Sequence, residues 1–407
     1  MKINILIAVT LLTFYSGFTQ QYSGISKTHK FESKAFEEER EIHVYLPFSY
    51  TENKTQQYPV IYLFDGQFDP LFDLTSGTMD YMSQVGEFNQ YIIVGIKTTQ
   101  RPREFTPMYT DEKTQEGWGE TKVGEAHILE NHLQNEVFPL IEKTYRTQPF
   151  RLAIGHSLGG TFVLNSLLSK PAFFQAVIAI SPNLMYDNRQ INNRFDTYFK
   201  THDSLKKFIY VSAGTIGSME NNFRTASENL DAIIKYHNPK HLEYHFKVLE
   251  GENHSTTPIY TINRAFSEMA KIWTISEEKL EDLIKDESIS FVDDLKSFYS
   301  QLSEFADYDV LPSVDQINTF GYDCLYYKKN EEALGVFNWA ISLFPDNANL
   351  YDSTAEAYLK SGNNEEASRY YQKALDVLEK TKNDYDAETY DYYKSMFIKN
   401  RDAVGKS

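Results

Sequence analysis

Phe150-Arg151-Leu152-Ala153-Ile154-Gly155-His156-Ser157-Leu158-Gly159-Gly160-Thr161-Phe162-Val163-Leu164 is the stretch from which the rest of the chain is read. It opens as an apolar strand, turns through small residues with Ser157 at the apex, and closes as a helix. Gly155 and Gly159 flank the serine at two residues' distance, where a Cβ would block the approach of strand and helix. A G-x-S-x-G turn in this setting is a nucleophile elbow. It raises the hydroxyl above the carboxyl end of a parallel strand, the place where open α/β sheets bind ligands. The plain alternative, a Gly/Ser turn joining two helices, does not explain the strand that precedes it.

Similar apolar runs lie on either side. Glu41-Ile42-His43-Val44-Tyr45-Leu46 alternates and stops at Pro47. Tyr58–Phe64, Gln90–Ile96, Ala176–Ile180 and Phe208–Gly214 are continuous, and Tyr244–Leu249 is a further strand. Helical patterns separate most of them, notably 128–144, 160–170 and 222–236. Apolar strands alternating with helices predict an α/β fold with a mostly parallel central sheet covered on both faces.

After Trp273 the strand-like runs end and acidic, lysine-rich helical text takes over. A 34-residue period appears: Asn330-Glu331-Glu332-Ala333 recurs as Asn364-Glu365-Glu366-Ala367. Leu325 matches Leu359, Phe337 matches Tyr371, Ala340 matches Ala374, and Gly321 matches Ala355 at the same offset. Small residues where paired helices touch, with Pro345 closing a unit, are the signature of tetratricopeptide (TPR) repeats. The expected organisation is a leader over 1–20, an α/β domain over 21–275, a helical linker over 276–310 and an all-α TPR-like domain over 311–407. Two such repeats cannot bury their own faces, so they are expected to pack on flanking helices or on the α/β domain.

A net charge of −17 over 407 residues argues against nucleic acid or an anionic membrane as partner, since both reward a basic patch. Lys2 followed by the short apolar run Ile3–Phe14 and the small residues Ser16, Gly17 and Thr19 reads as a signal peptide. The chain is therefore expected to be exported, to a periplasm or the extracellular space, with no membrane span once the leader is cleaved. Cys324 is the single cysteine, so no intramolecular disulfide can form, and it reads as a buried small residue. Glu125, His127, Glu130 and His132 cluster with the spacing of a solvated helix face, and no metal or organic cofactor is expected.

A serine hydroxyl needs a base within hydrogen-bond reach and a third group to orient that base. In α/β-hydrolases these follow in the order serine, acid, histidine. His254 lies in the polar segment after the last strand, and Glu220 is the first carboxylate after Phe208–Gly214. They are the expected base and acid, the alternative for Glu220 being a carboxylate facing water. Two backbone N–H groups should hold the oxyanion: Leu158, which follows the serine, and Gln67, in the Asp65-Gly66-Gln67 turn after an early strand.

These motifs resemble those of the Putative esterase family of α/β-hydrolases, which includes enterochelin (ferric siderophore) esterases, S-formylglutathione hydrolase and acetyl-xylan or feruloyl esterases. The resemblance spans about residues 33–275. It rests on Ser33 through Arg40 to Val44-Tyr45-Leu46-Pro47, Leu63-Phe64-Asp65-Gly66, Arg101-Pro102-Arg103-Glu104-Phe105-Thr106-Pro107, Pro139-Leu140-Ile141-Glu142 with Tyr145-Arg146-Thr147, the elbow, and Ser181-Pro182. It implies hydrolysis of a small or medium carboxylic ester by Ser157 with His254 as base. Glu125 departs from the family's usual glycine in Gly124-Glu125-Ala126. Arg101 and His156 are candidate substrate-binding residues; the alternative for Arg101 is a structural ion pair with Glu104 or another carboxylate. The competing reading from a different class is a scaffold, in which the repeats bind a partner chain or a second copy and the α/β domain is a platform.

Overall fold

The computed structural model describes residues 24–404 apart from 52, 53, 55 and 287. The expected leader, residues 1–20, lies outside the described residues. Eight strands form one sheet: β1 (Ile25–Ser33), β2 (Glu38–Leu46), β3 (Tyr58–Phe64), β4 (Ile92–Ile96), β5 (Thr147–His156), β6 (Ala176–Ile180), β7 (Ser204–Ile216) and β8 (Lys240–Asn253). Their order is β1-β2-β4-β3-β5-β6-β7-β8. The β1/β2 and β2/β4 pairs are antiparallel, and every pair from β4 to β8 is parallel.

The two-residue period of a strand sorts its side chains onto two faces. Val60, Tyr62 and Phe64 of β3 face one core together with Val94 of β4 and Val177 of β6. Ile61, Leu63, Ile93 and Ile178, one position out of step, face the other. Helices cover both. The first core is closed by 126–144, Leu158–Ser169, Tyr186–Phe199 and Ser218–His237, through Leu129, Phe162, Phe195 and Leu230. The second is closed by Asp69–Gln84 and Thr257–Trp273, through Phe72, Met79, Ile262 and Phe266. This is why the central strands are apolar at every position: each buried Val, Ile, Leu or Phe contributes about 1.5–3 kcal/mol whichever way it points.

The run read as one helix over 128–144 is helical but not uniform. Leu133–Val137 forms a wider turn, in which the N–H of Phe138 bonds the carbonyl of Leu133 five residues back. Pro139 is the cause. It lacks an N–H, its ring would collide with the carbonyl four residues earlier, and the wider turn makes room.

Beyond Trp273 the described residues are helical, beginning with Glu277–Lys285 and Phe291–Ala306. The segment expected as a linker is packed on the sheet: Ala306 joins the second core, and the Phe305 ring lies tilted against Phe150 and edge-on to Trp273. Two helix pairs follow, Val314–Tyr326 with Asn330–Leu343 and Ala348–Lys360 with Asn364–Lys380. Positions 34 apart play the same packing part. Phe337 and Tyr371, Ala340 and Ala374, and Ala333 and Ala367 are all buried. A Cβ on Gly321 would sit 2.2 Å from the Phe337 ring, which explains the glycine. Cys324 is fully buried in this region.

Candidate active site

The elbow is built from backbone constraint. Ser157 follows β5 directly with φ 61° and ψ −118°, a conformation an L-residue holds only when its surroundings dictate it. Its N–H donates to the Ile180 carbonyl at 2.9 Å, and its own carbonyl accepts from the Asn183 N–H at 3.2 Å. A Cβ on Gly155 would lie 2.2 Å from the Gly159 carbonyl oxygen, so strand and helix meet at a distance only glycine allows. Helix Leu158–Ser169 therefore starts at the residue after the serine, and the Leu158 N–H has no acceptor one turn upstream.

Ser157 and His254 line one cavity of about 420 Å³ with Asp65, Gln67, Phe68, Leu71, Arg101 and His156. His254 lies in the turn after β8, and its Nδ1 donates to Glu220 Oε2 at 2.7 Å. Glu220 is not in a loop. β7 runs on to Ile216, Gly217 turns at φ 100°, and Glu220 is the third residue of helix Ser218–His237. It is buried, with the Gly214 N–H (2.5 Å) and Ser181 Oγ (2.7 Å) both donating to Oε1. Burial raises the carboxyl pKa, but the bonds from His254, Gly214 and Ser181 outweigh it and hold the group below its ordinary value. The reading of Glu220 as a solvated carboxylate is thereby excluded. Sequence reasoning noted Ser181 only as a motif; its donor role depends on a contact 39 residues along the chain.

His156 stands behind this pair. Its Nε2–H donates to the His254 carbonyl at 2.9 Å, and the two rings lie 4.4 Å apart. Burial first, then the nearby His254 and Arg101, push its pKa down to about 4. The ordinary value is 6.5, so the unfolded chain takes up a proton between about pH 6.5 and 4 that the folded chain refuses, and stability falls as pH falls through that window. His156→Gln keeps an N–H donor but does not titrate. Its melting temperature should depend less on pH in that window, by the equivalent of on the order of 2–3 kcal/mol; parallel melting curves for the variant and parent at pH 6.5 and 4 read the difference directly.

Gln67 is held by its side chain. Nε2 donates to Asp65 Oδ1 (2.9 Å) and Thr98 Oγ1 (3.1 Å), and Oε1 accepts from the Thr98 N–H (3.0 Å). Asp65 also takes a two-point contact from Arg101, Nε to Oδ1 at 2.5 Å and Nη2 to Oδ2 at 2.8 Å. Arg101 is thus paired with a carboxylate, and that carboxylate is Asp65 rather than Glu104. Its side chain remains about two-fifths exposed at the cavity.

Glu104 instead closes on Arg40, with Nη2 to Oε2 at 2.6 Å and both side chains buried. Its Oε1 also accepts from the Thr99 and Gln100 N–H groups, which fixes the turn leading into Arg101. Glu104→Ala removes one of two carboxylates from a buried guanidinium, with Glu38 still accepting from Nη1 at 2.8 Å, and should cost about 1.5–3 kcal/mol of stability, measured by urea unfolding. An unchanged midpoint would mean that Glu38 alone satisfies Arg40.

The helix face thought to be solvated is only partly so. Glu125 pairs with Arg103 near the surface. Glu130 is buried against Asn165 and Ser169, and His132 is buried between Ser33 and Glu136. Among the described residues no three His, Cys, Asp or Glu side chains are grouped to hold a metal ion.

The sheet order, the elbow and the histidine–carboxylate pair define an α/β-hydrolase. The Putative esterase family matches residues 33–257, more than half of the chain, and the chain belongs to that family: it is an esterase. Ferri-bacillibactin esterase BesA of Bacillus subtilis is 27% identical over 251 residues, covering 56% of this chain and 84% of BesA. Among solved structures, an IroE-like serine hydrolase from Shewanella oneidensis superposes with a TM-score of 0.63 at 22% identity, covering 77% of this chain and 98% of its own. A protein from Capnocytophaga ochracea superposes with a TM-score of 0.70 at 16% identity, covering 94% of this chain and all of its own, so the likeness in fold extends into the C-terminal helices.

Proposed function

We propose that this esterase cleaves its ester through an acyl-enzyme on Ser157. His254 Nε2 takes the hydroxyl proton as Oγ attacks the carbonyl carbon. Glu220 fixes the imidazole with the proton on Nδ1 and stabilises the imidazolium that forms. The N–H groups of Leu158 and Gln67 donate to the oxyanion, a pair of which each member is worth roughly 10²–10³ in rate. The alcohol leaves with the proton from His254. Water, deprotonated by the same nitrogen, then releases the acid and restores the serine. The observation that carries this is the 2.7 Å His254–Glu220 bond beside a serine held at φ 61° on the wall of the same cavity.

The substrate we propose is an ester-linked siderophore. The support is the 27% identity to a ferri-bacillibactin esterase. The Arg101 guanidinium at the cavity is suited to phenolate or carboxylate oxygens. A fluorophosphonate probe should add to Ser157, located by peptide mass mapping, and kcat/KM on ferric bacillibactin or enterobactin should exceed that on feruloyl and acetyl-sugar esters. Labelling elsewhere overturns the mechanism. Labelling at Ser157 with no siderophore turnover overturns only the substrate.

We also propose that the chain is exported, on the strength of the leader-like residues 1–20. The N-terminal sequence of protein recovered from the native host tests this, and an intact Met1 in the mature protein contradicts it. Among the described residues no helix is long and apolar enough to cross a membrane. The scaffold reading has no specific observation in its favour.

A further inference from the structure

A second cavity, of about 490 Å³, lies where the sheet meets the C-terminal helices. That volume falls in the ~300–1,000 Å³ range of small-molecule sites. Gln57 borders it just before β3 and Gln148 near the start of β5, so it opens at the amino ends of the parallel strands. Ser157 follows the other end of β5. Eight residues at ~3.3 Å each put Gln148 about 26 Å from His156. The far wall comes from Trp273, Tyr299 and Gln316, on the helices Thr257–Trp273, Phe291–Ala306 and Val314–Tyr326.

The lining is unusual for this chain. Charged residues are 24% of the sequence, yet among the described residues not one lines this cavity. Glutamine recurs instead, with Gln90 beside those already named. A primary amide both donates and accepts, which matches a hydroxyl that does the same, whereas a charged ligand would find no counter-ion. Phe88, Trp273, Tyr299 and Tyr308 supply aromatic wall, of the kind that packs against the C–H groups of a sugar ring. Part of the wall is braced before anything binds, with Tyr308 Oη donating to Gln148 Oε1 at 2.8 Å and Ser49 Oγ to Gln90 Oε1 at 2.7 Å.

We infer that this cavity binds an uncharged, hydroxyl-rich ligand of mono- or disaccharide size, at a site separate from the esterase centre. The full chain is titrated with maltose, cellobiose, N,N′-diacetylchitobiose and galactose, with glucuronate as the charged comparison, by calorimetry and tryptophan fluorescence. At least one neutral sugar should saturate and change the emission, through Trp273. Gln316→Leu should weaken it by about tenfold, the effect of losing one hydrogen bond. Turnover of p-nitrophenyl acetate should be unchanged in this variant. Among the described residues no side-chain hydrogen bond of Gln316 would be broken by its loss, so the variant reads binding rather than folding. No saturable binding of any neutral sugar, binding that Gln316→Leu retains, or glucuronate bound as well as the best neutral sugar would overturn the inference.

Discussion

Ser157→Ala should lower kcat for p-nitrophenyl acetate by on the order of 10⁶-fold while the protein stays folded. In the proposed mechanism the loss is large because the substitution removes the atom that would form the covalent bond, and water in its place is neither positioned nor activated by a base set for Oγ. The fold should survive because the serine's structural work is done by its backbone. Its N–H is bonded to Ile180, its carbonyl to Asn183 and Thr161, and alanine has the same Cβ at the same φ of 61°. What remains should be the roughly 10³-fold of the oxyanion donors and of binding. Adding His254→Ala to this variant should cost little more, since a base with no nucleophile to serve contributes nothing further. Steady-state rates and circular-dichroism melting on the single and double variants check both statements. A single variant with parental turnover would remove Ser157 from the mechanism.

The sequence exposes those features whose cause is local. The elbow is legible because Gly155 and Gly159 answer a clash between atoms four residues apart. The central strands are legible because both sheet faces are covered, so Tyr58–Phe64 and Ala176–Ile180 have to be apolar throughout. That Glu220 and His254 lie side by side follows from chain order in this fold rather than from any property of the two segments. Contacts between distant segments were not legible. Nothing around Asp65 announces that Arg101 and Gln67 both close on it, nor does the text near Arg40 announce Glu104. Glu130 and His132 looked solvated because helical spacing says which residues share a face, not which face meets a neighbour. The glutamine-lined cavity had no sequence signal either, since its glutamines come from four separate parts of the chain.

Glu220→Gln should reduce kcat by about 10⁴-fold, more than the loss of a charge at that distance would suggest, because it reverses the imidazole. Two donors, the Gly214 N–H and Ser181 Oγ, converge on Oε1. In the amide variant only the carbonyl oxygen can accept from them, so the NH₂ group is turned toward His254 Nδ1. That nitrogen must then accept, its proton moves to Nε2, and the nitrogen facing the cavity can no longer take a proton from Ser157. KM should change little, since Glu220 is buried behind the histidine and does not line the cavity. The same substitution has a stability signature with a definite sign. The carboxyl's folded pKa is depressed, so its contribution is fully present above the ordinary value of 4.5 and is lost as pH falls through the folded one. The variant lacks that contribution at neutral pH, and the gap between its melting temperature and the parent's should narrow as pH drops below about 4.5. If turnover were unchanged while the melting temperature fell, Glu220 would be a structural carboxylate, and orientation of the His254 ring would have to come from its packing on Phe223 and His156.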